Sequence, residues 1–300
     1  MSGKKKVIVI AGATAVGKTS VAIEVAKHFK SQIISADSRQ CYKEMNIGVA
    51  RPSVEQLQQV EHHFVASHSI HEKVTAATFE KYALEKASAI FLENDIAVMV
   101  GGTGLYIKAF CDGFDEIPDV PEEVRNEIIK RYELEGLEWL KQNVEQKDPL
   151  FFATGEINNP QRLMRALEVI TFTGSSIVEL RKRKKAQREF ETVKIALNLP
   201  KEQLHHNINS RVETMVQQGL EQEARTLLPY RHLNALQTVG YKEMFQFFDG
   251  HVSLKEGTDL IKKNTRQYAK RQLTWFRKDK EYRWLPPAAD EVISFAEKNL

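Results

Sequence analysis

The stretch GATAVGKT, residues 12–19, decides the fold. It meets the pattern G-x-x-x-x-G-K-[ST] at Gly12, Gly17, Lys18 and Thr19, and it follows the apolar run 7–11. A strand feeding a phosphate loop is the context that gives this pattern meaning. The glycines let backbone N–H groups turn inward, and Ala13, Thr14, Ala15 and Val16 contribute further amides to the cradle. Lys18 adds a mobile positive charge, and Thr19 offers Mg²⁺ a hydroxyl at a helix N-terminus. A chance match in a glycine-rich turn is the plainer alternative, and the strand before and helix after argue against it. The loop predicts a polyphosphate ligand and leaves open whether that is ATP or another compound ending in phosphates.

Working outward, the first 110 residues alternate strand and helix. Strands are expected at 7–11, 32–36 and 96–100, and helices at 18–29 and 76–93. That order predicts a P-loop NTPase-like parallel α/β sheet flanked by helices, with its chemistry at the carboxyl ends of the strands. After DEIPDVP (115–121) the texture becomes charged and amphipathic, with Val124, Ile128, Ile129, Tyr132 and Leu137 at helical spacing. A second helix is expected over 160–171, and VKIALNL (193–199) reads as a strand rejoining the sheet. The domain reading is therefore a catalytic core over 1–119 and 193–300, its last third mostly helical, interrupted by an all-helical insertion over 120–192.

Of the 300 residues, 42% are hydrophobic and 28% charged, with a formal net charge of +3, so global charge does not select a partner. Two cysteines, Cys41 and Cys111, provide neither a disulfide framework nor a C-x-x-C pair. Residues 1–6 lead straight into a short apolar strand without a signal-peptide cleavage pattern, and Glu93 and Asp95 interrupt the best apolar stretch. The expectation is a cytoplasmic protein with no membrane contact, and no heptad or broad apolar stripe calls for more than a monomer.

The other two strand ends carry DSRQCY (37–42) and GGTGLY (101–106). Asp37 should emerge beside the phosphate loop, where a carboxylate can act as general base, Mg²⁺ ligand or helix N-cap. Ser38, Arg39 and Gln40 add hydrogen-bonding groups. The third strand ends without the acid that typical NTPases use for Mg²⁺, while its glycines and Thr103 allow a ligand close approach. Adjacent His62 and His63 face opposite ways on a strand and read as structural, as do His68 and His71. Between 262 and 283 nine Lys or Arg stand against Asp279 and Glu281, interleaved with Tyr268, Trp275 and Phe276. RKRKKAQR (181–188) is a second basic run. Either could be a solvated face; together they favour a large polyanion such as RNA.

In order, GATAVGKT, DSRQCY, GGTGLY, NNPQRLMRALEV, QTVGYKE and TRQYAKRQLTWFR resemble the tRNA dimethylallyltransferases, or tRNA isopentenyltransferases, over about 7–277. The resemblance implies that the loop holds the diphosphate of dimethylallyl diphosphate with Mg²⁺ rather than ATP. The acceptor it implies is N6 of the adenosine 3′ of the anticodon in tRNAs reading codons that begin with U, with diphosphate released. Asp37 would be the base, Lys18 and Thr19 would act on the leaving diphosphate, and Ser38, Arg39, Gln40 and Thr103 would hold the flipped nucleotide. Arg125, Gln161, Arg162, Leu163, Met164 and Arg165, in the insertion, would grip the anticodon stem-loop. Gln237, Gly240, Tyr241 and Lys242, with Lys270, Arg271, Gln272, Trp275 and Arg277, would touch tRNA from the main body. Leu163 and Ala166 also read as core positions.

Two positions depart from the family pattern. Asn207 replaces the first arginine of R-I-x-x-R-V, so a diphosphate contact could fall to Arg211, the residue favoured here, or to Arg225. Ala66 stands where the family has Asp. Three rival classes remain open: a small-molecule kinase, a non-catalytic RNA-binding module, and an enzyme that prenylates free AMP.

Overall fold

The structure, a computed structural model, describes residues 4–115, 117–181 and 185–300. Lys182, Arg183 and Lys184 of the second basic run lie outside the described residues. The chain forms two compact units, Met1–Asp112 with Gln187–Leu300, and Gly113–Ala186.

The first unit opens with β1 (Lys6–Gly12), α1 (Lys18–His28), β2 (Ile33–Ser35), α2 (Val54–Gln59), β3 (His62–His63), α3 (Ala76–Glu93), β4 (Ile96–Gly101) and α4 (Gly104–Asp112). The second unit holds α5 (Glu122–Lys147), α6 (Pro149–Thr154), α7 (Pro160–Thr173) and α8 (Ile177–Leu180). The chain then returns to the first unit with β5 (Glu191–Leu197), α9 (Lys201–Gln217), α10 (Leu220–Leu227), α11 (Tyr241–Phe248), α12 (Leu254–Arg277), β6 (Arg283–Leu285) and α13 (Ala289–Glu297).

The six strands pair in the order β3-β2-β4-β1-β5-β6, and every pairing is parallel. Central β1 is buried from Val7 onward, which is why it reads as an unbroken apolar run rather than an alternation. Val7, Val9 and Ala11 pack on one face with Phe79 and Met99; Ile8 and Ile10 pack on the other with Val21, Val25 and Val292. Register sets Ala11 level with Gly101, and Ser35 level with Val100. The loops that follow β1, β2 and β4 therefore leave the same sheet edge.

The second unit has its own apolar centre, including Leu140, Val144, Phe151, Leu163 and Leu167. The starts of α6, α7 and α8 are capped by Asp148, Asn159 and Ser176. Helix α5 breaks at Gly136, whose φ of 78° is left-handed.

Three details differ from expectation. Strands β3 and β6 were not foreseen: with two and three residues they carry no readable period, and β6 ends a stretch read as helical. The unit boundaries fall a few residues before those drawn at 119/120 and 192/193. Ile117 already packs in the second core, while Phe190 stacks on Phe110 at 4.9 Å and Arg188 donates to the carbonyls of Ala109 and Phe110.

Candidate active site

The phosphate loop is built on close approach. At Gly12 (φ 150°) a Cβ would lie 2.9 Å from the Leu197 carbonyl oxygen, so only glycine lets the loop leave β1 against β5. Ala15 and Gly17 also adopt positive φ, turning the chain into α1, whose first turn no described side chain caps. Two side chains hold the loop from outside. Gln272 Oε1 accepts the Thr14 N–H at 2.8 Å while its Nε2 donates to the Gly102 carbonyl at 2.9 Å. Asn207 Nδ2 donates to the Ala15 carbonyl at 3.2 Å. Within the loop, Lys18 Nζ donates to the Ala13 carbonyl at 2.7 Å. Burial lowers the Lys18 ammonium to about 8, with nearby Arg211 acting in the same direction and Asp37 opposing. Arg211 Nη1 lies 3.5 Å from Thr14 Oγ1. Lys18 in the loop and Arg211 on α9 together make this end of the sheet electropositive.

Asp37 follows β2, and its Oδ1 accepts the N–H groups of Arg39 (2.9 Å) and Gln40 (3.2 Å). The next turn is sewn to the end of β4 by Ser38 N–H donating to Thr103 Oγ1 at 3.1 Å. Gln40 Nε2 donates to the carbonyls of Val49 and Ala50, and Arg39 Nη1 to those of Asn234 and Ala235.

Two cavities open here, of about 870 and about 650 Å³. The phosphate loop floors the first through Lys18 and Thr19, and Lys242 and Arg271 line the second. They meet at Thr14, Asp37, Arg211 and Tyr268, each of which borders both. A phosphorylated donor in one and an acceptor in the other would therefore confront each other beside the Asp37 carboxylate.

Most of the expected residues of the first unit gather here. Ala15, Gly17, Gln40 and Gln272 join the first cavity, and Ser38, Arg39, Gln237 and Gly240 the second. Gly12, Ala13 and Val16 are buried members of the loop itself, and Thr103 serves Ser38. Tyr241 departs from its expected tRNA contact: it is fully buried, lines neither cavity, and donates its hydroxyl to Glu223 at 2.6 Å. Gln272, too, is a buried brace between two turns rather than a surface contact. Trp275 lies against the Gly104 turn, Arg277 sits over the Trp284 ring at 5.9 Å, and Lys270 is exposed. Arg225 pairs with Glu221 on the surface, whereas Arg211 borders both cavities, so of the two candidates for the missing arginine Arg211 stands at the site.

In the second unit, Arg125 Nε and Nη2 donate to the two oxygens of Glu168 at 3.2 Å each, and Arg165 Nη1 donates to the same carboxylate at 3.2 Å. Glu168 is nearly buried, so both arginines have a structural task that the sequence reading did not give them. Leu163 is core, Met164 packs at its margin, Arg162 pairs with Glu156 at 2.5 Å, and Gln161 is exposed. Sequence reasoning passed over the Asn207 and Gln272 braces and the position of Tyr268. The four-residue spacing of Asn207 and Arg211, which puts both on one face of α9, was the available signal.

No cluster of three His, Cys, Asp or Glu suited to a metal stands among the described residues. A divalent ion in the first cavity would depend on Thr19 and on oxygens that the ligand brings.

A parallel sheet with a glycine-rich loop, two loop-facing cations and a carboxylate at the meeting of two cavities defines an α/β P-loop enzyme of the group-transfer kind. The model of the IPP transferase family matches residues 40–279. The chain belongs to that family and is a transferase. It is 47% identical to the tRNA dimethylallyltransferase of Christiangramia forsetii, over 92% of this chain and 91% of that one. Its structure matches the full-length tRNA isopentenylpyrophosphate transferase of Bacillus halodurans with a TM-score of 0.72 and 34% identity, covering 99% and 95% of the two chains. It also matches a eukaryotic dimethylallyltransferase acting on tRNA, with a TM-score of 0.74 and 28% identity, over 91% of this chain and 70% of that one.

Proposed function

We propose that this chain transfers a dimethylallyl group from dimethylallyl diphosphate to tRNA, at N6 of the adenosine 3′ of the anticodon in tRNAs reading U-starting codons. The observation that carries the reading is the junction: Asp37, Thr14 and Arg211 border both cavities, so one carboxylate and one cation are shared by donor and acceptor spaces.

The donor diphosphate lies on the amides of the phosphate loop, with Lys18 and Arg211 as counter-charges and the uncapped start of α1 beneath it. Thr19 would hold Mg²⁺ together with diphosphate oxygens and water, and the ion would neutralise charge on the leaving group. The adenosine enters the second cavity unstacked, because a stacked base would keep N6 out of reach. The bond from N6 to the allylic carbon forms as the carbon–oxygen bond breaks, and its electron pair leaves on the diphosphate. The N6 proton passes to Asp37, whose Oδ1 is already held by two N–H groups, so the carboxylate needs little reorganisation.

The same reading takes the enzyme to be cytoplasmic, where tRNA is, and to act as a monomer, since one chain lines both cavities. No helix among the described residues is long and apolar enough to cross a membrane. A transfer assay with labelled dimethylallyl diphosphate and Mg²⁺, offering unmodified tRNA and AMP in parallel, tests the reading. Label should enter tRNA, and Asp37→Ala should lower kcat by about 10²–10⁴-fold, the range of general base catalysis. Label in AMP alone, or full activity of the variant, would overturn it.

A further inference from the structure

The motif QTVGYKE (237–243) is only partly used by the second cavity, since Tyr241 lies in the core. Its hydroxyl donates to Oε1 of Glu223, on α10, and that carboxylate is crowded with donors. Oε1 also accepts the Gly48 N–H at 2.9 Å, while Oε2 accepts those of Asn46 (3.1 Å) and Ile47 (2.8 Å). At Gly48 a Cβ would stand 2.6 Å from Tyr241 Cζ, so the glycine lets this loop lie directly on the tyrosine ring. Arg51 closes the loop by donating from Nη2 to the carbonyls of Tyr42, Lys43 and Met45. Ala50 is held at φ 49°, a left-handed conformation that an alanine keeps only where its surroundings fix it.

What this segment does is visible on its other side. Val49 and Ala50 border both cavities, and their carbonyls accept Gln40 Nε2 at 3.3 and 2.9 Å. The Gln40 N–H in turn donates to Asp37 Oδ1 at 3.2 Å. A continuous set of bonds thus runs from Tyr241 and Glu223 through the 46–50 loop and Gln40 to Asp37. We infer that Glu223, braced by Tyr241, is a positioning residue for the transfer: acting through this loop and Gln40, it fixes where the Asp37 carboxylate stands between donor and acceptor. The inference rests on the reading of Asp37 as the base.

A double-mutant cycle on tRNA prenylation separates this role from bulk stability. Glu223→Gln keeps the shape of the side chain and removes its charge; Gln40→Ala removes the amide that ties Asp37's turn to the loop. Each alone should lower kcat by about 10-fold while leaving KM for dimethylallyl diphosphate within about 3-fold, because misplacing a reacting group penalises turnover more than donor binding. The double variant should be no slower than the worse single, since both cut the same connection. Losses that multiply to about 100-fold, or an unchanged Glu223→Gln, would overturn the proposal. Thermal melting checks the fold of each variant. Should Glu223→Gln fail to fold, Tyr241→Phe, which keeps the ring and deletes one donor, takes its place in the cycle under the same criteria. Asp37→Ala runs alongside: full activity there would overturn the reading of the base and the proposal with it. An inactive Asp37→Ala combined with multiplying losses would overturn the Glu223 connection alone.

Discussion

Lys18 holds its proton weakly before any ligand arrives. In the unfolded chain it titrates near 10.5, and in the folded loop near 8. Between those values the unfolded state binds more protons than the native state, so stability without ligand should rise with pH across the window. Below pH 8 both states carry the proton, and the burden of burying the charge is fully present. A diphosphate reverses the preference by favouring the ammonium. Its affinity should therefore fall above pH 8 by up to about tenfold per unit, because binding there must take up the proton that the free lysine has lost. Isothermal titration at pH 7, 8 and 9 should show this slope for the native lysine and none for Lys18→Met. The two arginines on Glu168 make a different case. Each guanidinium is about a third exposed, 34% for Arg125 and 32% for Arg165, while the carboxylate is 5% exposed. Removing either arginine should weaken the second unit by about 1 kcal/mol, and removing both, which strands a buried charge, by about 3–5 kcal/mol. Hydrogen exchange of α7 amides measures it, a tenfold faster exchange corresponding to about 1.4 kcal/mol. Lys18 and Asp37 were legible in sequence because each is defined by the few residues around it. The partners of Arg125 and Tyr241 were not legible, because Glu168 and Glu223 are remote in sequence and stand on other helices.

Helix α12 does more than carry positive charge. Its buried Gln272 joins the amide of Thr14, after β1, to the carbonyl of Gly102, after β4. Gln272→Ala would leave a buried donor and acceptor unpaired, a loss of about 1–3 kcal/mol. Its expected signature is a KM for dimethylallyl diphosphate raised by roughly 10-fold with tRNA affinity little changed, read from steady-state kinetics and filter binding. An equal loss of both would show that the helix acts on tRNA instead. Long periodic segments were readable: α3 spans the foreseen 76–93, and β4 the foreseen 96–100 with one more residue. Strands β3 and β6 were not, because parallel pairing to a neighbouring strand, rather than any pattern of their own, makes them strands. The break at Gly136 escaped for a related reason: nothing lies within 4 Å of a Cβ placed there, so no packing signature marks it.

The second unit is inserted where the first nearly closes on itself, with Phe110 and Phe190 stacked and Arg188 bonded to the carbonyls of Ala109 and Phe110. Domains inserted at neighbouring chain ends can be removed without unfolding their host. Replacing residues 113–186 by a short Gly/Ser linker should leave diphosphate binding within about 3-fold of the intact chain, since the phosphate loop and both cavities are built from the first unit alone. The tRNA affinity of the same protein, measured by filter binding, should fall by at least about 10-fold if the insertion grips the anticodon stem-loop. Retained tRNA affinity would assign recognition to the main body. The two-part layout was legible from the change in texture after DEIPDVP, and its borders blurred because single side chains such as Phe190 and Ile117 decide them.

The pairing of β1 with β5 has a further consequence for the living cell. Lys6 lies opposite Glu191 and Gly12 opposite Leu197, so one side of the buried central strand β1 has no partner until the ribosome has made residues 191–197. At about 5–20 residues per second that wait is roughly 10–40 seconds. Throughout it the nascent chain exposes an open strand edge, the kind of surface that invites aggregation. Newly made protein should therefore depend on chaperone shelter during translation far more than the finished enzyme does afterwards.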